Sequence, residues 1–145
     1  MPIVGFTYTK ILVEKKDKLD PTKDKIVNNV NLIKVEQDDR ELAKDQGLLN
    51  FNFEFVVDYG KSAKLQLNGT VLYMDKLKEI KSIFNDWEKE KKLNLKVSTE
   101  IFNSILFKCN IKALQLADDL NLPAHFKVPL LRPKPQDVQT QESKA

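Results

Sequence analysis

The 145-residue sequence holds one cysteine, one histidine and four glycines. A lone cysteine, Cys109, excludes an intrachain disulfide, and its place on the apolar side of a helical segment predicts a buried thiol. His125 lies in the turn Pro123-Ala124-His125, with no cysteine or paired acid at metal-ligand spacing. A surface or turn residue is expected there rather than a catalytic base. Gly5, Gly47, Gly60 and Gly69 stand far apart, which excludes a glycine-rich phosphate loop. No serine has the context of a nucleophile elbow. No apolar run approaches the roughly 20 residues of a spanning helix, so membrane insertion is not expected. The opening MPIVGFTYTK has no basic segment ahead of a long apolar core, so a secretory signal is not expected and a cytoplasmic location is. Arginine occurs only as Arg40 and Arg132, and lysines alternate with acids in KKDKLDPTKDK and EKEKK. At a net charge of +3 this pattern describes a solvated surface rather than a phosphate track, and no nucleic-acid partner is expected. The pairs Asp38-Asp39 and Asp118-Asp119 read as solvated charge as well. The expectation is a protein without cofactor, metal or catalytic residues.

What is present is patterning. In LLNFNFEFVVDYG, Leu49, Phe51, Phe53, Phe55 and Val57 share one face, the period of a half-buried strand. Three phenylalanines in a row on a sheet resemble a base-stacking platform, but their strict alternation makes them core. Tyr59-Gly60-Lys61-Ser62 is a turn in which Gly60 is free to take positive φ. AKLQLNGTVLY then points Ala63, Leu65, Leu67, Val71 and Tyr73 inward, completing a hairpin. Gly69 inside that strand predicts a bulge or a close backbone approach. Upstream, IVGFTYTKILVEK places Val4, Phe6 and Tyr8 on one side and then changes phase to Ile11 and Val13. DKIVNNVNLIKVEQ changes phase between Leu32 and Ile33. Such shifts indicate β-bulges or strong twist.

After Tyr73 the period becomes helical. Asp75 is the candidate cap of a helix KLKEIKSIFNDWEKEKK whose stripe is Leu77, Ile80, Phe84 and Trp87, with Ile83 beside it. Asn94 is a candidate cap of a second helix running to about Leu120. Asn121 suits the left-handed position beyond its end, and Pro123 prevents continuation. A meander of four strands followed by two helices predicts an α+β domain, a four-stranded antiparallel sheet with both helices packed on one face. The expected domain covers 1–132, followed by a disordered polar tail at 133–145.

The second helix is apolar on too many sides. Val97, Ile101, Ile105, Cys109, Ala113, Leu116 and Leu120 fall along one face, while Phe102, Leu106, Phe107, Ile111 and Leu114 spread beyond it. A surface helix needs one stripe, and an exposed patch of this kind is unusual for a monomer. A homo-oligomer, dimer or tetramer, is expected, with Ile101, Phe102, Ile105, Leu106 and Cys109 near the interface.

The run NSILFKCNIKALQLADDLNLPAHFKVPLL resembles the corresponding region of the SecB export chaperones, in particular small archaeal-type SecB-like proteins. Asn103, Ile105, Leu106 and Phe107, then Leu122, Pro123, Val128 and Pro129, carry the resemblance. It covers about thirty residues in sequence and most of the chain in element order. The chain departs from the family in its basic charge, in Lys108 where many members have proline, and in the polar stretch after Leu131 where members carry another helix. The resemblance implies helices sandwiched between the sheets of paired subunits, and binding of client chains at grooves beside the post-helix connection. With the apolar segment after the second helix, it predicts an ATP-independent holdase for unfolded or extended polypeptides, a role the family serves in protein export, contacting clients through Phe126, Val128, Leu130 and Leu131. An oligomeric adaptor of the same fold, recognising one specific partner, is the alternative; a small enzyme or ligand carrier would need residues that are not apparent.

Overall fold

The computed structural model describes residues 3–16, 25–38 and 44–125. Four strands, β1 (Ile3–Lys15), β2 (Val27–Asp38), β3 (Gln46–Asp58) and β4 (Ala63–Lys76), are followed by two helices, α1 (Leu77–Glu90) and α2 (Leu95–Asp119). The sheet is wholly antiparallel, in the order β1-β4-β3-β2. The antiparallel sheet with two helices is as expected from the sequence, but the simple meander is not. β2, β3 and β4 are hairpin neighbours, whereas β1 lies beside β4, so the consecutive strands β1 and β2 form opposite edges.

The alternating residues of the two central strands make the core. Leu49, Phe51, Phe53, Phe55 and Val57 of β3 and Leu65, Leu67, Val71 and Tyr73 of β4 are buried. Each large apolar side chain so removed from water contributes about 1.5–3 kcal/mol. The aromatic row is therefore core and unavailable for stacking on a ligand. The other face of the same strands is polar. Thr70 Oγ1 donates to Asn52 Oδ1 (2.7 Å), and Asn52 Nδ2 donates to Glu36 Oε1 (3.0 Å). Leu48, Val56, Leu72 and Met74 lie toward the ends of this face, but its middle is amides and hydroxyls, which gives a helix little apolar surface to cover.

The phase changes in the edge strands are real irregularities. Register shifts occur between Tyr8 and Lys10 in β1 and between Leu32 and Lys34 in β2. A further shift between Ile3 and Gly5 leaves Val4 exposed and brings Ile3 to the core with Phe6 and Tyr8, so Val4 does not share their side as expected. Gly69 pairs with Tyr8 at the bulge. A Cβ there would meet the Thr7 carbonyl oxygen and stand 2.8 Å from the Phe53 ring, so the close approach read from the sequence is present. Gly60 takes φ 72° in the β3–β4 turn.

The helix ends differ in how they are closed. Asp75 does not cap α1. β4 runs straight into the helix, Lys76 occupies the cap position without a side-chain bond, and the first amide, of Leu77, donates to the Asp45 carbonyl (2.7 Å). Asn94 does cap α2, its Oδ1 accepting from the Val97 amide (2.9 Å). At the other end Asn121 takes φ 54°. The Leu122 amide donates to the Ala117 carbonyl (2.8 Å) and the Asn121 amide to the Asp118 carbonyl (3.2 Å), a Schellman motif in which both Leu122 and Ala117 are buried.

Candidate functional site

The buried residues of α2 are Val97, Ile101, Ile105, Cys109, Ala113 and Ala117. Their spacing is four throughout. With 3.6 residues per turn, each step of four rotates the buried line by about 40°, so six such residues wind about 200° around the helix. This winding explains part of the wide apolar surface: a helix laid obliquely on a twisted sheet buries different sides along its length. It does not explain the remainder. Leu95 is 84% exposed, Phe107 69%, Ile111 47% and Leu106 37%, and Phe102 is half-buried.

The five residues expected near an oligomer interface therefore divide. Ile101, Ile105 and Cys109 are fully buried within the chain, against the sheet. Only Phe102 and Leu106 present surface. The Cys109 thiol is the buried, inert group expected; burial pushes it up to about 12. Tyr8 lies over it, its Oη donating to the Lys108 carbonyl (3.1 Å), and its hydroxyl is also pushed up to about 12 by burial. The Lys108 and Lys112 ammonium groups stand 5.6 and 5.9 Å over the rings of Phe6 and Tyr8. These contacts fix the middle of α2 on β1.

The end of α2 is held at β1 by Lys15 Nζ, which donates to the Leu120 carbonyl (3.0 Å), and the turn beyond it reaches the opposite edge. Tyr59 Oη donates to the Pro123 carbonyl (2.9 Å), and Asn28 Nδ2, on β2, donates to the His125 carbonyl (3.0 Å). His125 is not a surface residue, as the sequence suggested. It is 6% exposed and packs edge-to-face on Phe55 at 5.8 Å. Its Nε2 lies 2.7 Å from Asn110 Oδ1; an amide oxygen only accepts, so Nε2 carries the proton. Burial lowers its pKa. The histidine acts as a pin between α2 and the sheet, and no acid or nucleophile meets it in these contacts. The sequence signal for this was weak, since a histidine in a Pro-containing turn reads as exposed.

Between these fixed points lies a groove of about 330 Å³. It is lined by Val30, Asn31 and Leu32 of β2, Trp87 near the end of α1, Lys91, Lys92 and Leu93 in the connection, and Ser98 and Phe102 of α2, a mixture of apolar and polar groups. Lys91 takes the left-handed conformation that ends α1, at φ 55°, and its ammonium stands 5.6 Å over the Trp87 ring. β2 pairs with β3 on one side and forms the edge of the sheet on the other. The groove thus offers apolar side chains beside a strand that, among the described residues, pairs on one side only, the two elements that hold an extended peptide. Among the described residues, no group of three His, Cys, Asp or Glu side chains converges on a point. No helix among them is long and apolar enough to cross a membrane. Phe126, Val128, Leu130 and Leu131, expected to contact clients, lie outside the described residues, as does the tail 133–145.

No protein-family model matches the chain, and no curated protein matches it in sequence. Among solved structures it is similar to a SecB-like chaperone of Mycobacterium tuberculosis, determined in complex with a ChAD peptide from an antitoxin. That similarity covers 91% of each chain at 14% identity, with a TM-score of 0.49.

Proposed function

We propose that the protein binds extended or unfolded polypeptide, passively and without catalysis, in the groove between β2 and the two helices. The observation that carries this reading is the joint presence of apolar side chains in the groove and a strand that forms the edge of the sheet among the described residues. Val30, Leu32, Trp87, Leu93 and Phe102 line the groove, and β2 is an edge strand beside it. A bound chain would pair its backbone with β2 and place alternate side chains against these walls. Apolar burial supplies roughly 25 cal/mol per Å², and ordering the client offsets part of it, so modest affinity is expected. Lys91 and Lys92 in the lining favour client segments that carry acidic residues next to apolar ones.

The same reading includes self-assembly into a dimer or tetramer through the outer surface of α2. Phe102 and Leu106 belong to it from the sequence expectation, and the exposed Phe107 and Ile111 extend it.

The test is suppression of aggregation of a chemically denatured client by equimolar protein, with Leu93→Glu as the groove variant. Suppression by the wild type that is weakened by Leu93→Glu, at unchanged far-UV dichroism, is the expected result. No suppression by the wild type ends the holdase reading, and capture of one stoichiometric partner from source lysate would replace it with the adaptor.

A further inference from the structure

We propose that Lys91 decides which polypeptides the groove accepts. Its ammonium covers the Trp87 ring in the free protein and leaves it for a client carboxylate, so segments with an acid beside an apolar anchor are taken in preference to those without one. This rests on the polypeptide-binding reading of the groove and adds its specificity-determining residue. Trp87 lines the groove, yet only 9% of it is exposed. The Lys91 ammonium stands 5.6 Å over the ring, within the range of cation–π attraction. An apolar anchor that packs on that face of the ring has to replace the lysine.

The backbone holds Lys91 where this exchange needs no rearrangement of the fold. Its amide donates to the Trp87 carbonyl (2.8 Å), and it takes φ 55° and ψ 36° at the end of α1. Glycine and asparagine suit that left-handed position best, so the backbone there gives no reason for a lysine. The root of the side chain is fixed, while its tip changes place by rotamer steps, which in exposed side chains take picoseconds to nanoseconds. Charge supplies the selection. The lining contains Lys91 and Lys92 and no carboxylate. The local sequence alternates, Glu88-Lys89-Glu90-Lys91-Lys92, yet among the described residues neither lysine of the lining forms an ion pair. In an extended client the neighbour of an inward apolar side chain points away from the wall. A long lysine swung off the ring meets an acid at that position. Cation–π contacts and ion pairs at exposed sites are of similar size. An acidic client therefore offsets the uncovering of Trp87, and a neutral one bears it alone.

The probes are short fluorescein-labelled peptides that alternate leucine with aspartate, asparagine or lysine, and anisotropy measures their binding to the full chain. The wild type is expected to bind the aspartate peptide several-fold more tightly than the asparagine peptide, and the lysine peptide most weakly, with differences that shrink as salt is added. Lys91→Gly suits the left-handed backbone and so keeps the helix end. It is expected to lose most of the preference and to bind the asparagine peptide about two- to fivefold more tightly than the wild type does, because the ring is uncovered. Lys91→Met, which keeps the stem without the charge, loses the same preference, and Lys91→Arg restores it. Lys92→Met narrows the preference and leaves the asparagine peptide unchanged. Acrylamide quenching of Trp87, the chain's single tryptophan, reads the cover without a client and is expected to rise in Lys91→Gly. Equal affinity of the wild type for the aspartate and asparagine peptides, an unchanged preference in Lys91→Gly, or a gain for the asparagine peptide that Lys92→Met reproduces overturns the proposal and leaves polypeptide binding standing. Equal quenching in wild type and Lys91→Gly also overturns it, since the ring was then not covered. Failure of every peptide to bind removes the polypeptide-binding reading, and the proposal falls with it.

Discussion

Replacing Ile105 with alanine separates the two faces of α2 most directly. Ile105 is fully buried and sits in the middle of the winding line of buried residues between the helix and the sheet. Truncation removes three carbons and leaves a cavity that rigid neighbours close only in part, at a cost of about 2–5 kcal/mol. For a chain of this size each kcal/mol shifts the melting temperature by about 2–4 °C, so the expected fall is ~5–20 °C. The companion is Phe107→Ala on the opposite side, where the side chain is 69% exposed. If that side faces water, the change stays within about 0.5 kcal/mol. If a second copy covers it, Phe107→Ala lowers the melting temperature in a concentration-dependent way and shifts the mass measured by light scattering after size exclusion. Thermal unfolding followed by far-UV dichroism reads both variants. An Ile105→Ala protein that melts within a degree of wild type would refute the packing of α2 on the sheet. A wild type that remains monomeric at micromolar concentration would refute the assembly through the outer surface.

Gly69→Ala is expected to cost about 1–3 kcal/mol, because the new methyl group collides with the Thr7 carbonyl oxygen and the Phe53 ring; denaturant titration measures it. Asn94→Ala removes the bond to the Val97 amide and is expected to cost about 1 kcal/mol, with Asn94→Asp restoring most of it. Cys109, buried and with its thiol pushed up to about 12, is expected to react with a thiol reagent at pH 8 only as fast as the chain opens; rapid labelling of the native protein would show that the thiol is accessible. Burial lowers the pKa of His125 from 6.5 in the fold, so its contribution is fully present above the unfolded-state pKa and is lost as pH falls from there through the folded pKa. The melting temperature should decline over that window in the wild type more than in His125→Gln, and parallel curves would remove His125 from the pH response.

The central strands were legible because one physical rule acts on them alone. Phe51, Phe53 and Phe55 have polar neighbours at every alternate position, and only a sheet with one wet face satisfies that pattern. The bulges were legible too, as breaks of phase at Tyr8 and Leu32, because a slipped register moves every later side chain to the other face. Strand order was not. Alternation says which face a residue takes and nothing about which neighbour its strand pairs with, and β1 joins β4 across the sheet. The caps show the same division. Asn94 and Asn121 act within their own turn, where sequence is informative. Asp75 was misread because the first amide of α1 is satisfied by Asp45, thirty residues back along the chain.

The groove illustrates the harder case. Its walls come from three places in the sequence: Val30 and Leu32, Trp87 to Leu93, and Phe102. None is unusual alone. Trp87 reads as the last residue of a narrow stripe, and Phe102 as surplus on a helix already apolar elsewhere. The available signal was that surplus. The buried line of α2 accounts for residues at intervals of four from Val97 to Ala117, and Phe102 falls off it. An apolar residue off the packing line needs a separate reason, and here half of it is supplied by a wall beside an edge strand. Leu106, Phe107 and Ile111 fall off the line as well and find no such wall among the described residues. The excess of apolar surface on this helix therefore divides in two, the part that lines the groove and the part that stays exposed among the described residues, and the proposed function assigns polypeptide to the first and a second copy to the other. Because Phe102 stands at the boundary between them, a change there disturbs both, and variants at Leu93 and Phe107 are the ones that tell polypeptide binding and assembly apart.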